Sequence, residues 1–182
     1  WHGRGGQGAV TSAELLARAA IDEGKFAQAF PAVGPERRGA PVVAFNRISD
    51  EEPIRVRAEV AEPDVVVVLD ASLTRVVNVT SGLKEKGVLL INTKRPVQDI
   101  ESEFDTRWQL AIVDATRIAQ ETLGVNIVNT AMIGALVRAT GLVQLESLFE
   151  PLRHRFERLA DRNINAMKRA FEETIVRSKV IG

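Results

Sequence analysis

The chain has 182 residues, 24 basic and 24 acidic side chains, and therefore a formal net charge of zero. With 45% hydrophobic and 26% charged residues it has the composition of one globular domain, and its neutral charge argues against a nucleic-acid binder. No apolar run approaches the roughly 18 residues of a membrane span, and no segment resembles a signal peptide, so we expect a cytoplasmic protein with no membrane or nucleic-acid partner.

The chain opens on a glycine-rich turn. Gly3, Gly5 and Gly8 have the G-x-G-x-x-G spacing, and Gly6 adds a fourth glycine. Positions without a Cβ atom let the chain turn sharply out of a strand and bring its N–H groups close to a ligand or a partner. We therefore predict a Rossmann-like first βα turn. Because the sequence starts at Trp1 without a methionine, we also expect a few residues to precede it.

The first helix is predicted over residues 11–23, with Thr11 or Ser12 as its N-cap and Gly24 as its stop. A dinucleotide-binding turn needs an acidic residue about 20 positions further on, where it holds the ribose hydroxyls. The matching stretch, residues 26–31, contains no carboxylate. The sequence therefore argues against NAD or FAD binding.

The rest of the chain alternates predicted strands and helices. Strands are expected over residues 26–30, 42–48, 54–58 (a short edge strand), 65–69, 88–92 and 110–113. Helices are expected over residues 73–86, 117–123 and 130–140, and from residue 145 onward with an interruption near 150–151. Residues 114–116 are expected to cap the helix 117–123, and Ala131, Gly134 and Ala135 permit close packing of the helix 130–140. The unbroken apolar run 65–69 is typical of a strand buried on both faces. We predict one α/β domain over residues 1–182, three-layer α/β/α, with a mostly parallel or mixed central sheet.

Two apolar stripes mark the predicted C-terminal helices, and they comprise Leu152, Phe156 and Leu159, then Ile164, Met167, Phe171 and Ile175. We expect both to face the core, although a partner chain could cover the second instead.

Few polar residues point to chemistry. Asp70 follows the buried strand 65–69, and capping of the next turn together with Ser72 is favoured over a functional role. His2 and His154 are the only histidines, and neither has a second metal ligand at a recognisable spacing. The absence of cysteine excludes disulfides, thiol catalysis and cysteine-ligated iron–sulfur clusters on this chain. We find no Walker motif and no G-x-S-x-G motif.

A second loop, residues 31–41, is rich in proline and glycine and carries the consecutive charges Glu36, Arg37 and Arg38. Both loops hold more glycine, proline and charge than turning requires, and rigidly held loops often carry function. We interpret the chain as a module that contributes a surface to another subunit's active site.

Three segments carry a family resemblance. Residues 1–11 (WHGRGGQGAVT), 28–31 (QAFP) and 34–41 (GPERRGAP) resemble the gamma subunit of pyruvate (2-oxoacid):ferredoxin oxidoreductases, a unit that is also an internal domain of single-chain versions. The resemblance covers essentially the whole chain. The form with Ala40 and Pro41 is more similar to the pyruvate and ketoisovalerate branch than to the 2-oxoglutarate branch.

The resemblance implies an enzyme that decarboxylates a 2-oxoacid with thiamine diphosphate, passes electrons through [4Fe–4S] clusters to ferredoxin, and transfers the acyl group to coenzyme A. This chain has neither the Gly-Asp-Gly nor the Asn-Asn segment of thiamine diphosphate sites. Thiamine diphosphate, its Mg²⁺ and the clusters would therefore lie on alpha, beta and delta-type partner subunits. The isolated chain would be inactive and would hold no cofactor or metal.

Our hypothesis is that the two loops pack together at a subunit interface beside the thiamine site, close to coenzyme A or a partner subunit, without a catalytic residue of their own. The residues concerned are Gly3, Arg4, Gly5, Gly6, Gln7, Gly8, Gly34, Pro35, Glu36, Arg37, Arg38 and Gly39. Arg37 or Arg38 would pair with a phosphate or carboxylate of coenzyme A or of the substrate, or else make interface salt bridges. The rival functions are a free-standing nucleotide-binding module and a non-catalytic assembly scaffold.

Overall fold

The computed structural model describes residues 1–34, 37–104 and 107–177. Across these residues one mixed sheet runs in the order β2-β3-β1-β4-β5-β6-β7. Its strands are β1 (His2–Arg4), β2 (Phe26–Pro31), β3 (Pro41–Ser49), β4 (Val65–Val68), β5 (Val88–Asn92), β6 (Gln109–Val113) and β7 (Ile175–Arg177). Strands β1, β4, β5 and β6 are mutually parallel, whereas β3 is antiparallel to both β1 and β2, and β7 is antiparallel to β6. The predicted α/β class with a mixed central sheet is confirmed.

Most of the helical residues come after β6. The helices are α1 (Ala9–Asp22), α2 (Val97–Glu101), α3 (Ala115–Leu123), α4 (Asn129–Thr140), α5 (Phe149–Phe156) and α6 (Ala160–Glu173). Short 3-10 turns span Ala71–Arg75, Leu145–Leu148 and Glu157–Leu159. Asp114 caps α3 through its carboxylate, which accepts a hydrogen bond from the Arg117 N–H, as the sequence predicts.

The two faces of the sheet are covered unequally. Because side chains alternate along a strand, Val67 and Leu90 face one layer while Val66 and Leu89 face the other. Helices α1, α3, α4, α5 and α6 supply buried residues to the first layer. The second layer is thinner and is built from the 3-10 turn Ala71–Arg75, helix α2 and connecting segments.

Helices α4 and α6 pack very closely. A Cβ added at Gly134 would lie 2.0 Å from the carbonyl oxygen of Met167, so no side chain fits there. Beside this contact the Thr130 hydroxyl donates a hydrogen bond of 2.8 Å to the buried side chain of Asn163. The close packing predicted for the small residues of this helix is therefore found.

Two predicted elements are wrong. Residues 73–86 do not form a helix, because after the 3-10 turn the chain continues as turns, with positive φ angles of 74° at Gly82 and 64° at Lys86. Residues 54–58 do not form a strand. The side chain of Gln28 donates to the carbonyl oxygen of Ile54 at 3.1 Å, so this segment is held by side-chain contacts rather than by a strand ladder.

Contrary to the prediction, the chain from residue 145 onward is not helical throughout, because α6 ends at Glu173 and Ile175–Arg177 form β7. Other helix boundaries also differ from the predictions. Helix α1 begins at Ala9 behind Gly8, so neither Thr11 nor Ser12 caps it, and the Ser12 hydroxyl instead bonds the Gly8 carbonyl at 2.9 Å. The C-terminal break falls at Glu157, where φ is 48°, rather than at 150–151. Pro151 is accommodated in the first turn of α5, because the N–H that proline lacks would have no helical partner there.

The two apolar stripes are largely directed inward. Leu152, Ile164 and Met167 are buried, whereas Leu159 and Ile175 are 49% and 46% exposed. The prediction that both stripes face the core therefore holds for most of their members and is wrong for these two.

Candidate functional site at the carboxyl edge of the sheet

The two loops singled out in the sequence meet at one edge of the sheet. Because β1 and β3 are antiparallel, the end of β1 lies beside the start of β3, with Arg4 opposite Pro41. The Gly5 N–H donates to the Ala40 carbonyl at 2.9 Å, and the Gly39 N–H donates to the Gly5 carbonyl at 3.1 Å. We call residues 3–8 and 37–40 the joined loops.

Glycine is required at two positions by close contacts. A Cβ at Gly5 would lie 2.2 Å from the carbonyl oxygen of Arg37, and one at Gly8 would lie 2.8 Å from the Asn129 side-chain nitrogen. Gly8 also has a φ of 85°. Gly6 is different, because it is exposed and a Cβ there would meet nothing within 4 Å. The glycine-rich turn therefore lets the chain approach its own second loop and helix α4.

The Arg4 side chain connects the joined loops to the turn after β4. Its Nη1 donates to the Gly39 carbonyl at 3.0 Å and its Nη2 to the Ser72 hydroxyl at 2.9 Å. Its Nε lies 3.2 Å from Oδ2 of Asp70, and these two side chains are 29% and 24% exposed. A planar guanidinium carries several N–H donors in fixed directions, so it can bond to all three partners at once.

Gln7 completes this network. Its Oε1 accepts a hydrogen bond from the Arg4 N–H at 2.6 Å, and its Nε2 donates to Oδ2 of Asp70 at 3.0 Å. The other carboxylate oxygen of Asp70 accepts from the Ser72 N–H at 2.9 Å and from the Ser72 hydroxyl at 2.6 Å. Burial alone raises the pKa of Asp70, but the Ser72 and Gln7 hydrogen bonds and the charge of Arg4 together lower this pKa below its ordinary value.

Asp70 caps the turn, as the sequence predicts, and it also contacts the glycine-rich loop. This contact could not be found from the sequence, because it depends on β4 lying next to β1. The only signal was the position of Asp70 at the end of a buried apolar run.

The remaining predicted site residues are distributed unevenly. Gly3 is buried within β1, where a Cβ would lie 3.0 Å from Leu69 Cδ1. Gly34, Arg37, Arg38 and Gly39 are exposed. Arg37 and Arg38 make no ion pair with any residue that the structure describes. The predicted residues at positions 35 and 36 lie outside the described residues.

The geometry also bears on nucleotide binding. In the dinucleotide-binding fold the strand that follows the first helix neighbours the first strand and carries the acidic residue. Here that strand is β2, and antiparallel β3 separates it from β1. Asp70 does end the parallel neighbour of β1, but Arg4, Gln7 and Ser72 already occupy its oxygens. The Gly5 N–H likewise already donates a hydrogen bond to the Ala40 carbonyl.

A diphosphate needs open N–H groups and a Mg²⁺ needs several oxygen ligands. At Gly5 the N–H already donates to the Ala40 carbonyl, and the Arg37 backbone lies too close for a Cβ, so this position has no room for a ligand. Among the residues of the three described ranges, no three His, Cys, Asp or Glu side chains cluster as a metal site would require. Within the same ranges, no helix is long and apolar enough to cross a membrane.

Comparison with known proteins identifies close relatives. The chain is 53% identical over 176 residues to the "Pyruvate/ketoisovalerate oxidoreductases common subunit gamma" of Pyrococcus abyssi. This match covers 96% of this chain and 95% of that protein. It is 52% identical over 174 residues to the "Pyruvate synthase subunit PorC" of Methanothermobacter marburgensis, covering 95% of this chain and 94% of that protein.

Two solved structures are also similar to this chain. The pyruvate oxidoreductase subunit PORC of Thermotoga maritima has a TM-score of 0.86 and 41% identity, and the match covers 97% of this chain and 95% of that one. The 2-oxoglutarate:ferredoxin oxidoreductase of Magnetococcus marinus shares the fold with a TM-score of 0.74 at 19% identity, and there the match covers 93% of this chain and 29% of that chain. In that enzyme the same fold is therefore part of a longer chain.

The family assignment rests on nearly the whole chain. Residues 1–173 match the family described as "Pyruvate ferredoxin/flavodoxin oxidoreductase". The two relatives named above are subunits of such enzymes and cover this chain almost end to end. The chain therefore belongs to the pyruvate ferredoxin/flavodoxin oxidoreductase family, as a subunit of the gamma type.

Proposed function

We propose that this chain completes a cytoplasmic oxidoreductase that converts a 2-oxoacid, coenzyme A and oxidised ferredoxin into acyl-coenzyme A, CO₂ and reduced ferredoxin. Pyruvate is the substrate that we favour, because the relatives with about half of their residues identical carry pyruvate in their names. Thiamine diphosphate with its Mg²⁺, and the [4Fe–4S] clusters, belong to alpha, beta and delta-type subunits. The absence of cysteine from this chain supports that division, because such clusters are held by cysteine thiolates.

The observation that carries the proposal for this chain's own role is that the joined loops form one continuous surface, which we call the ledge. Backbone hydrogen bonds and the Arg4 side chain fix the ledge, while Arg37 and Arg38 extend from it without an ion-pair partner among the described residues. Two such guanidinium groups suit a ligand or partner that carries phosphate or carboxylate groups. In our proposal the ledge lies at the subunit interface beside the thiamine site.

Two roles of the ledge remain to be separated. In the first, Arg37 or Arg38 binds a phosphate of coenzyme A or a carboxylate of the substrate. In the second, they form salt bridges with a neighbouring subunit. A charge-assisted hydrogen bond contributes about 1.5–3 kcal/mol, which corresponds to roughly a tenfold change in affinity or more.

The test uses Arg37→Ala and Arg38→Ala in the assembled complex, with Arg162→Ala as the matched control. Arg162 is an exposed arginine of α6 that forms no ion pair with the described residues. The first role predicts an intact complex whose apparent KM for coenzyme A rises about tenfold or more. The second predicts dissociation of the complex at an unchanged KM. If both variants behave like the control, the ledge does not have either role.

The rival nucleotide-binding function is tested separately. Calorimetric titration of the chain with NAD, FAD and ATP should give no heat of binding, because the Gly5 N–H and the Asp70 carboxylate already have partners within the protein. Saturable binding of any of the three would favour the nucleotide-binding function instead.

A further inference from the structure

We propose that Asp70 is a positioning residue, which holds the ledge formed by the joined loops in its working position without itself contacting substrate. This inference rests on the proposed function of the ledge, but it concerns a residue outside both loops. It follows from the set of groups that the Asp70 carboxylate gathers.

The carboxylate of Asp70 uses both of its oxygens. Oδ2 accepts hydrogen bonds from Arg4 Nε and Gln7 Nε2, and Oδ1 accepts from the N–H and the hydroxyl of Ser72. A capping residue needs only the bonds to Ser72. The two bonds to the glycine-rich loop are therefore additional to the cap.

The influence of Asp70 reaches the second loop through Arg4. With its Nε paired to Asp70, the Arg4 fork directs Nη1 to the Gly39 carbonyl at 3.0 Å. Gly39 immediately follows Arg37 and Arg38 in the chain and is itself exposed. Apart from this contact, backbone hydrogen bonds such as Gly5 N–H to Ala40 secure the second loop to the first. Loss of the carboxylate charge would free a partly exposed arginine to turn toward water, so the second loop would lose its side-chain anchor.

Asp114 provides a matched control. It also follows a buried parallel strand, β6, and it caps α3 by accepting the Arg117 N–H at 3.0 Å. Its ion-pair partner is Arg117, and in the described part of the chain it makes no hydrogen bond or ion pair with the joined loops. Asp70→Asn and Asp114→Asn thus each remove one negative charge from a capping carboxylate, but only Asp70→Asn alters the anchor of Arg4.

The experiment compares Asp70→Asn, Asp114→Asn and the unaltered protein in the assembled complex. Amide hydrogen exchange is followed in peptides that contain Gly39 and Ala40, and the apparent KM values for coenzyme A and pyruvate are measured with kcat. We expect Asp70→Asn to speed exchange in the second loop about tenfold, equivalent to about 1.4 kcal/mol, and to raise the KM for coenzyme A more than that for pyruvate. Asp114→Asn should leave exchange in the second loop at its original rate.

A second variant guards against a failure of Asp70→Asn to assemble. Arg4→Lys keeps the positive charge but lacks the fork that reaches Asp70 and Gly39 together, so it should also speed exchange in the second loop. Unchanged exchange in either variant, or equal acceleration in Asp70→Asn and Asp114→Asn, would overturn the positioning role. Faster exchange with an unchanged KM for coenzyme A would leave that role standing and would instead refute contact between the ledge and coenzyme A.

Discussion

Gly5→Ala provides a stringent test of the joined loops. The φ angle of Gly5 is not positive, so alanine is compatible with the backbone, and the expected effect comes from contact alone. The new Cβ would lie 2.2 Å from the Arg37 carbonyl oxygen and 2.8 Å from the carbonyl carbon. These Arg37 atoms belong to the backbone, so they cannot rotate away from the new Cβ as a side chain could. The second loop must therefore retreat by roughly 1 Å before the Cβ and the oxygen reach van der Waals separation.

This displacement of the second loop lowers the free energy of unfolding. It breaks the two backbone hydrogen bonds that link Gly5 to Ala40 and Gly39, which contribute about 1 kcal/mol each. Strain from overpacking adds about 1 kcal/mol or more. We therefore expect Gly5→Ala to lower the free energy of unfolding by about 3 kcal/mol in urea denaturation of the purified chain.

The adjacent Gly6 supplies the control for this measurement. Its φ of 92° disfavours alanine, but a Cβ there meets nothing within 4 Å. Gly6→Ala should therefore cost only about 1–2 kcal/mol, and it should leave the two loops together. A Gly5→Ala protein that is as stable as Gly6→Ala, or more stable, would refute the close approach of the loops.

Two further predictions concern packing and pH. Gly134→Ala adds a better helix former to α4, worth about 1 kcal/mol, yet its Cβ would lie 2.0 Å from the Met167 carbonyl oxygen, so we expect a net loss of about 2 kcal/mol in urea denaturation. A stabilised Gly134→Ala protein would contradict the contact between α4 and α6. The lowered pKa of Asp70 means that the stability it contributes is fully present above its unfolded pKa of about 3.9 and is lost as the pH falls through the folded value. The difference in unfolding free energy between the unaltered protein and Asp70→Asn should therefore be constant near neutral pH and shrink below about pH 4, and a pH-independent difference would contradict the ionic role of Asp70.

The parts of the fold that were predictable are those encoded locally. The apolar run that forms β4 predicts a strand buried on both faces, and Asp114 predicts the start of α3 through a contact three residues away. The glycines and the charged second loop indicate two special loops, and a family resemblance connects them to one enzyme class. These signals depend on neighbours along the chain, which a sequence displays directly.

The parts that were not predictable depend on contacts between distant segments. Residues 73–86 have an apolar content suited to a helix, but Val79 and Leu83 are instead buried by turns packed on the thinner layer. The position of β3 between β2 and β1 has no local signal, and it is this order that brings Gly5 to Ala40. The link between Asp70 and Arg4 likewise spans 66 residues and depends on the pairing of β1 with β4.

The pairing of β1 with β3 makes chain length critical at one point. Gly39 is bonded to Gly5, and two residues later Pro41 stands opposite Arg4. Deletion of Ala40 would have to break this junction or slide β3 by one residue, which would turn the buried side of Ala44 to the opposite face. Natural insertions and deletions in relatives should therefore be rare between Gly39 and Pro41. The length of this short junction sets the register of the whole β2–β3 hairpin against β1.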